Sequence, residues 1–349
     1  MIVYSHTSST SPGVVGMLET PIKMIIEHES DFITSQNGIC QQLFNIEKSN
    51  RFAETIVGTS EFSIFSHNEE GEPSEQDYLL ESYTKFIEHI QFMKEFAISA
   101  QMMEDANYGV AADAKRRAQN FIRAYYKTIN KLCEQVLING NKESITFANA
   151  YVDTTTGDQR PLFDVNHVYN TYGIQSNYYC GDLVRTGTGS GRKYSAETFE
   201  TALSKLSVIF RNMLDEVGEP LGYTADTIIL PANRYELESI VRKVCGSPGA
   251  LGNGYNDINL HCGNWNIVIL PGWQADKDEI MIMSSEANKN LCGNMFFNRV
   301  PLTITNWVDN HSGNYIWNGR CRFGVGFGTY KHIMRIEDLE GESTTMTKF

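Results

Sequence analysis

The residues of this 349-residue chain that could do chemistry are glycines in runs, scattered histidines and cysteines, and one dense patch of acids. The stretch Thr186-Gly187-Thr188-Gly189-Ser190-Gly191-Arg192-Lys193 invites comparison with a phosphate cradle, where the N–H groups of a glycine loop face a phosphate. Its spacing fails, because both GxxxxGK[ST] and GxGxxG need a glycine where Arg192 stands. Gly324, Gly326 and Gly328 fail likewise, since Thr329 occupies the third glycine position, and their aromatic neighbours read as a strand. No HExxH is present, and His261-Cys262 has no second pair to complete a zinc site. Cys40, Cys133, Cys180, Cys245, Cys262, Cys292 and Cys321 are odd in number, widely spread and without CxxC, the usage of a reduced cytosolic chain. Glu69, Glu70, Glu72, Glu75 and Asp77 lack the DxDxDG register of a calcium loop and read as a solvated tip. A Ser or Cys–His–acid site could be assembled only by folding, so no catalytic, cofactor or metal residue is assigned.

The element that everything else is arranged around is Ala111 to Ile138. Its apolar residues (Ala111, Ala114, Ala118, Phe121, Ile122, Tyr125, Ile129, Leu132, Cys133, Val136) fall within about 120° of a helix, with Arg116, Arg123, Lys127 and Lys131 opposite. Nothing inside breaks the pattern, and Asn139-Gly140 supplies the stop, so the spacing predicts an uninterrupted helix of roughly 40 Å. Before it, Glu61 to Phe65 and Tyr83 to Ile90 alternate around the acidic tip and read as a long hairpin without a core of its own. Residues 1–50 read as an extended arm, apolar enough to be tied down.

After Gly140 the chain is turn-rich to residue 192. Ser195 can cap a helix running to Val217, which Gly218 and Pro220 end. Thr227 to Pro231 reads as a buried strand, Arg234 to Val244 as a helix, and Trp265 to Pro271 and Glu279 to Met283 as strands, with a glycine-rich loop (Gly246, Gly249, Gly252, Gly254) between. That order describes an α+β fold with a mixed sheet. The last sixty or so residues alternate strongly, with Leu302 to Trp307, a turn at Asp309–Gly313 and a return from Tyr315 to Ile333 forming a long β-hairpin before a loose tail.

Composition sets the outer limits. A hydrophobic content of 41% with 20% charged residues is that of a globular chain. A net charge of −13 argues against a dedicated nucleic-acid binder, and no apolar run is long enough to span a membrane. The N-terminus has neither a basic n-region nor an apolar h-region, so no secretory signal is read.

The order of parts resembles the major capsid proteins of tailed phages, the Hong Kong 97-type fold. Pro161-Leu162-Phe163 with His167 and Asn177 is similar to the P-L-F-x(3)-H…N stretch of Mu-type major head subunits. Ala225 to Val244, Asn259 to Trp273 and Arg320 to Tyr330 are similar to further segments of the family, so the resemblance spans nearly the whole chain through short words in order. It implies an N-terminal arm (1–50), an extended loop lying on an adjacent subunit (51–100), a peripheral-domain spine helix (101–140), an axial domain (141–290) and a peripheral return hairpin with tail (291–349). It implies a structural subunit, not an enzyme, that assembles with itself into pentamers and hexamers of an icosahedral head. The head would be built in the host cytoplasm with scaffolding, portal and decoration proteins, around double-stranded DNA held by non-specific contact. Candidate intersubunit contacts are Glu69, Glu70 and Glu72 at the acidic tip, Lys85 in the hairpin, Arg116 and Arg123 on the spine helix, and Asn310 and Asn314 at the closing turn. Some relatives cross-link a hairpin lysine to an asparagine near that turn. No assisting glutamate is evident beside the closing hairpin here, so a cross-link is not expected. The competing readings are an encapsulin-type nanocompartment shell and an α+β enzyme with a site built from distant residues.

Overall fold

The computed structural model describes residues 3–6, 24–33, 38–59, 67–69, 71, 76, 81–101, 109–170, 173–186, 192–247, 259–339 and 347–348. The chain divides into two compact units, one of residues 1–54, 87–133 and 296–325, the other of 55–86, 134–295 and 326–349.

The first unit is a sheet backed by the long helix. The helix runs over Gly109–Ile138, with Ala114, Ala118, Phe121 and Ile122 buried along one side, as the three-and-four spacing requires. Against it lies a sheet in the order Val3–His6, Asn294–Val308, Tyr315–Phe327, Ile90–Ile98, with Asn45–Lys48 also pairing to the second of these. Period-two alternation turns Leu302, Ile304 and Trp317 onto the helix, where they pack with Ile98, Phe121 and Ile26 from a helix over residues 24–33. Phe96 joins this layer, stacked on Trp317 and tilted against Phe121. Gly319 lies where a Cβ would come within 2.3 Å of the Phe121 ring, so the sheet and helix approach more closely there than a side chain would permit.

The second unit is built on a six-stranded mixed sheet in the order Asn266–Leu270, Thr227–Pro231, Glu279–Met283, Ile333–Asp338, Tyr178–Gly181, Thr347–Lys348. The first pair is parallel and the next two are antiparallel. Ile228, Leu230, Ile280, Ile282, Met334 and Ile336 face two helices, Ala196–Arg211 and Tyr235–Gly246, whose Phe199, Leu203, Leu206, Leu237, Val241 and Val244 complete the core. Ser195 caps the first helix, its Oγ accepting from the Thr198 N–H at 3.3 Å.

Several expectations needed revision. The capped helix ends at Arg211 rather than Val217, because Asp215 diverts the chain into a turn and accepts from the N–H groups of Val217, Gly218 and Glu219. The return strand stops at Phe327, and Ile333–Asp338 is a separate strand of the other unit's sheet. The outgoing hairpin strand is Ala53–Thr59, while the expected run Glu61–Phe65 lies outside the described residues. The hairpin's returning strand, Glu81–Glu88, gives way at His89 to the sheet strand Ile90–Ile98, so the expected extended loop is shorter than residues 51–100.

Candidate assembly surfaces

The hairpin strands Ala53–Thr59 and Glu81–Glu88 pair with one another and, among the described residues, with no other strand. On the returning strand Lys85 and Ile87 are buried while Thr84, Phe86 and Glu88 are exposed. Phe52, Val57 and Phe86 leave 71%, 43% and 63% of their surfaces in solvent, a large apolar exposure for a ribbon of two strands.

Lys85 is placed otherwise than expected. Its ammonium is buried, paired with the Asp153 carboxylate and 2.6 Å from Thr155 Oγ1. It therefore anchors the ribbon inside its own chain and is not displayed to a neighbour. Where the ribbon ends, His89 is buried with Nε2 2.8 Å from Ser49 Oγ, and its carbonyl accepts from Arg322 Nε at 3.3 Å. Of the tip residues, Glu69 is exposed, and Glu70 and Glu72 lie outside the described residues.

The five-stranded sheet turns its other face outward. Thr303, Thr305 and Trp307 alternate with the helix-facing Leu302 and Ile304, and with Met93, Val300, Asn318 and Arg320 they line a shallow depression of about 450 Å³. Met93 is 57% exposed and Trp307 38%. At one end of this sheet the closing turn is organised by Asp309, whose carboxylate accepts from the His311 and Ser312 N–H groups and, at 2.5 Å, from the Ser312 hydroxyl. Gly313 adopts φ +70° there, a left-handed conformation that glycine takes without a Cβ clash. Asn310 is exposed at the tip, whereas Asn314 Oδ1 accepts from the Ala100 N–H at 3.3 Å and so fastens the turn to its own unit.

The basic side of the long helix is solvent-facing at Arg116, Lys127 and Lys131. Arg116 bonds Asp113 one turn earlier and stays 75% exposed. Arg123 is committed within the chain, its Nε 2.6 Å from the buried Glu29 Oε1, which ties the helix over 24–33 to the long helix.

Two buried clusters explain sequence words that read only as resemblance. His167 is fully buried, its Nδ1 2.7 Å from Asp158 and its Nε2 3.2 Å from the Leu162 carbonyl, with its ring stacked 3.8 Å from that of Tyr330. Asn177 Nδ2 donates to the same Leu162 carbonyl at 2.7 Å and to that of Ile333 at 3.2 Å. Burial alone would raise the Asp158 carboxyl, but the His167 hydrogen bond and charge outweigh it and hold the group below its usual range. The P-L-F…H…N residues are thus a lock that ties a turn to the start of the inner strand Ile333–Asp338. Nearby, Arg335 Nη2 is 2.7 Å from Glu279 Oε2 and its Nη1 donates to the Ile138 carbonyl, with the Phe163, Tyr178 and Trp273 rings around its guanidinium. Trp273 Nε1 donates to the remaining oxygen of Glu279 at 3.0 Å. Sequence reading missed this pair, because 56 residues separate partners that meet only diagonally across adjacent strands, Arg335 lying opposite Met281 and Glu279 opposite Glu337.

Among the described residues no group of three or more His, Cys, Asp and Glu side chains is placed to hold a metal ion, and no helix is long and apolar enough to cross a membrane. No family model matches the chain, and no curated protein matches it. Solved structures that it resembles include the capsid of an empty GTA particle, at 12% identity over 87% of this chain and 90% of that one, with a TM-score of 0.48. The capsid of the cyanophage P-SCSP1u matches at 10% identity over 87% and 89%, with a TM-score of 0.49. A virus-like particle from Pyrococcus furiosus matches at 8% identity over 91% and 98%, with a TM-score of 0.46.

Proposed function

We propose that the chain is the structural subunit of an icosahedral shell, the head of a tailed bacteriophage or prophage, which closes around a double-stranded genome. The observation that carries this reading is the exposed ribbon. Among the described residues the two-stranded hairpin leaves Phe52, Val57 and Phe86 at its surface, and the same chain offers an open sheet face around Met93 and Trp307. Two different apolar patches on one chain favour head-to-tail association, in which each copy lends one patch and receives the other. Such contacts build rings when the rotation closes, and several per subunit hold a lattice even where each is modest.

On this reading the unit with the long helix is the peripheral domain, and the unit with the six-stranded sheet is the axial domain. The Asp309–Asn314 turn meets its neighbours at threefold-related contacts, whereas residues 248–254 of the glycine-rich loop, expected at the local symmetry axes, lie outside the described residues. Glu69, Arg116 and Asn310, exposed in the single chain, are the contact candidates that stay available to neighbours. The basic residues Arg116, Lys127 and Lys131 are a further surface for non-specific contact with packaged DNA. Assembly in the host cytoplasm, a separate scaffolding protein, a portal and decoration proteins complete the proposal.

Deletion of Asn68 to Asp77 tests it. The shortened chain is expected to fold, with unchanged circular dichroism, but to give no closed particles in electron micrographs. Normal shells from the deletion variant would overturn the role given to the ribbon.

A further inference from the structure

The N-terminal arm is fastened to the long helix by a short helix, Ile39–Leu43, whose Cys40 and Leu43 are buried. The Cys40 N–H donates to Asn130 Oδ1 at 3.2 Å, which sets the backbone of the short helix beside one turn of the long one. Cys133 follows Asn130 by three residues, on the same side of that helix, and is fully buried. The packing of the short helix on that turn sets the two buried cysteines close enough for Cys40 to bear on the Cys133 thiol. All seven cysteines are free.

We propose that Cys40 and Cys133 are the two halves of an oxidation-dependent staple that locks the N-terminal arm to the long helix. With a small-molecule disulfide such as oxidised glutathione as oxidant, one cysteine thiolate attacks a glutathione sulfur, forming a mixed disulfide and releasing one reduced glutathione. The second thiolate then attacks the cysteine sulfur of that mixed disulfide, expelling the second reduced glutathione and closing the Cys40–Cys133 bond. Two thiols lose two protons and two electrons, and one oxidant molecule takes them up. Burial, with the neighbouring Cys40, pushes the Cys133 thiol well above its ordinary range, so the closed arm resists oxidation and reaction waits on opening of the short helix. A chain made under reducing conditions therefore keeps both thiols, while one later exposed to an oxidising medium acquires a covalent tie. That biological setting rests on the shell reading, whereas the staple itself rests on the packing of the arm.

The test uses the full chain incubated with oxidised glutathione, followed by alkylation and peptide mapping without reductant. The expected product is a disulfide joining the Cys40 peptide to the Cys133 peptide, with amide exchange over residues 39–44 slowed about tenfold relative to the reduced chain. Both C133S and C40S should abolish that linked peptide, so either variant serves if the other fails to fold. Recovery of Cys40 and Cys133 as alkylated thiols or separate glutathione adducts, once the partly exposed Cys262 and Cys292 have reacted, would overturn the proposal. So would a bond from either to a different cysteine. Peptide mapping reads the same on a single subunit as on a particle, so failure of the staple and failure of the shell reading are told apart.

Discussion

The ammonium of Lys85 is closed on the carboxylate of Asp153, and this pair anchors the returning strand of the exposed ribbon to the body of the chain. Thr155 Oγ1, 2.6 Å from the same nitrogen, completes the anchor. Because Asp153 is partly solvated, we expect Lys85→Ala to cost only about 1 kcal/mol. Its local effect should be larger in kind: amide exchange along Glu81–Glu88 should quicken about fivefold while the sheet strand Ile90–Ile98 is unaffected. Uniform exchange changes in both strands would contradict the anchor.

Arg335 and Glu279 form a buried pair whose hydrogen bonds are shared with Trp273 and the Ile138 carbonyl. Removing one partner leaves a buried charge, so Arg335→Met should cost about 3–5 kcal/mol in urea unfolding. Adding Glu279→Leu should recover much of that loss, because the stranded carboxylate is then gone. A double variant as unstable as the single one would show that packing of the guanidinium among its rings, rather than charge, is what the site requires.

His332 is fully buried with Nε2 2.8 Å from Asn294 Oδ1, and burial pushes its imidazole down to about 3 from an ordinary value of 6.5. Between those values the unfolded chain binds a proton that the folded chain refuses. Stability therefore rises with pH across that window and is lost on acidification, by about 1.4 kcal/mol per pH unit for one such group. His332→Gln should flatten the fall in urea midpoint from about pH 6 to about pH 4. An unchanged slope would place the acid sensitivity elsewhere.

Gly319 meets the Phe121 ring so closely that an added methyl must displace it. Gly319→Ala should cost about 1–3 kcal/mol and lower the melting temperature, and Phe121→Leu in the same chain should relieve part of the loss.

What could be read from the sequence was local and periodic. The long helix, the capped helix start at Ser195, the buried strand Thr227–Pro231 and the following helix each carry their pattern within one window of residues. Strand partnership was not legible, because Tyr178–Gly181 lies beside Ile333–Asp338 through contacts that no local spacing encodes. The Asp215 turn was missed for a related reason, since a helical pattern continues past Arg211 while one carboxylate captures three N–H groups and redirects the chain. Lys85 looked like a displayed hairpin cation until folding brought Asp153 to it. Of the exposed surfaces, the ribbon was legible as a segment without a core, whereas the open sheet face needed the registered strands before Met93, Trp307 and Arg320 could be seen together.

Self-assembly into closed shells can be checked by negative-stain electron microscopy, with light scattering, of the chain expressed alone. Capsomer rings or closed particles in the megadalton range are expected, formed alone or on addition of a crowding agent. A folded monomer or dimer that stays discrete at high concentration and under crowding would contradict it.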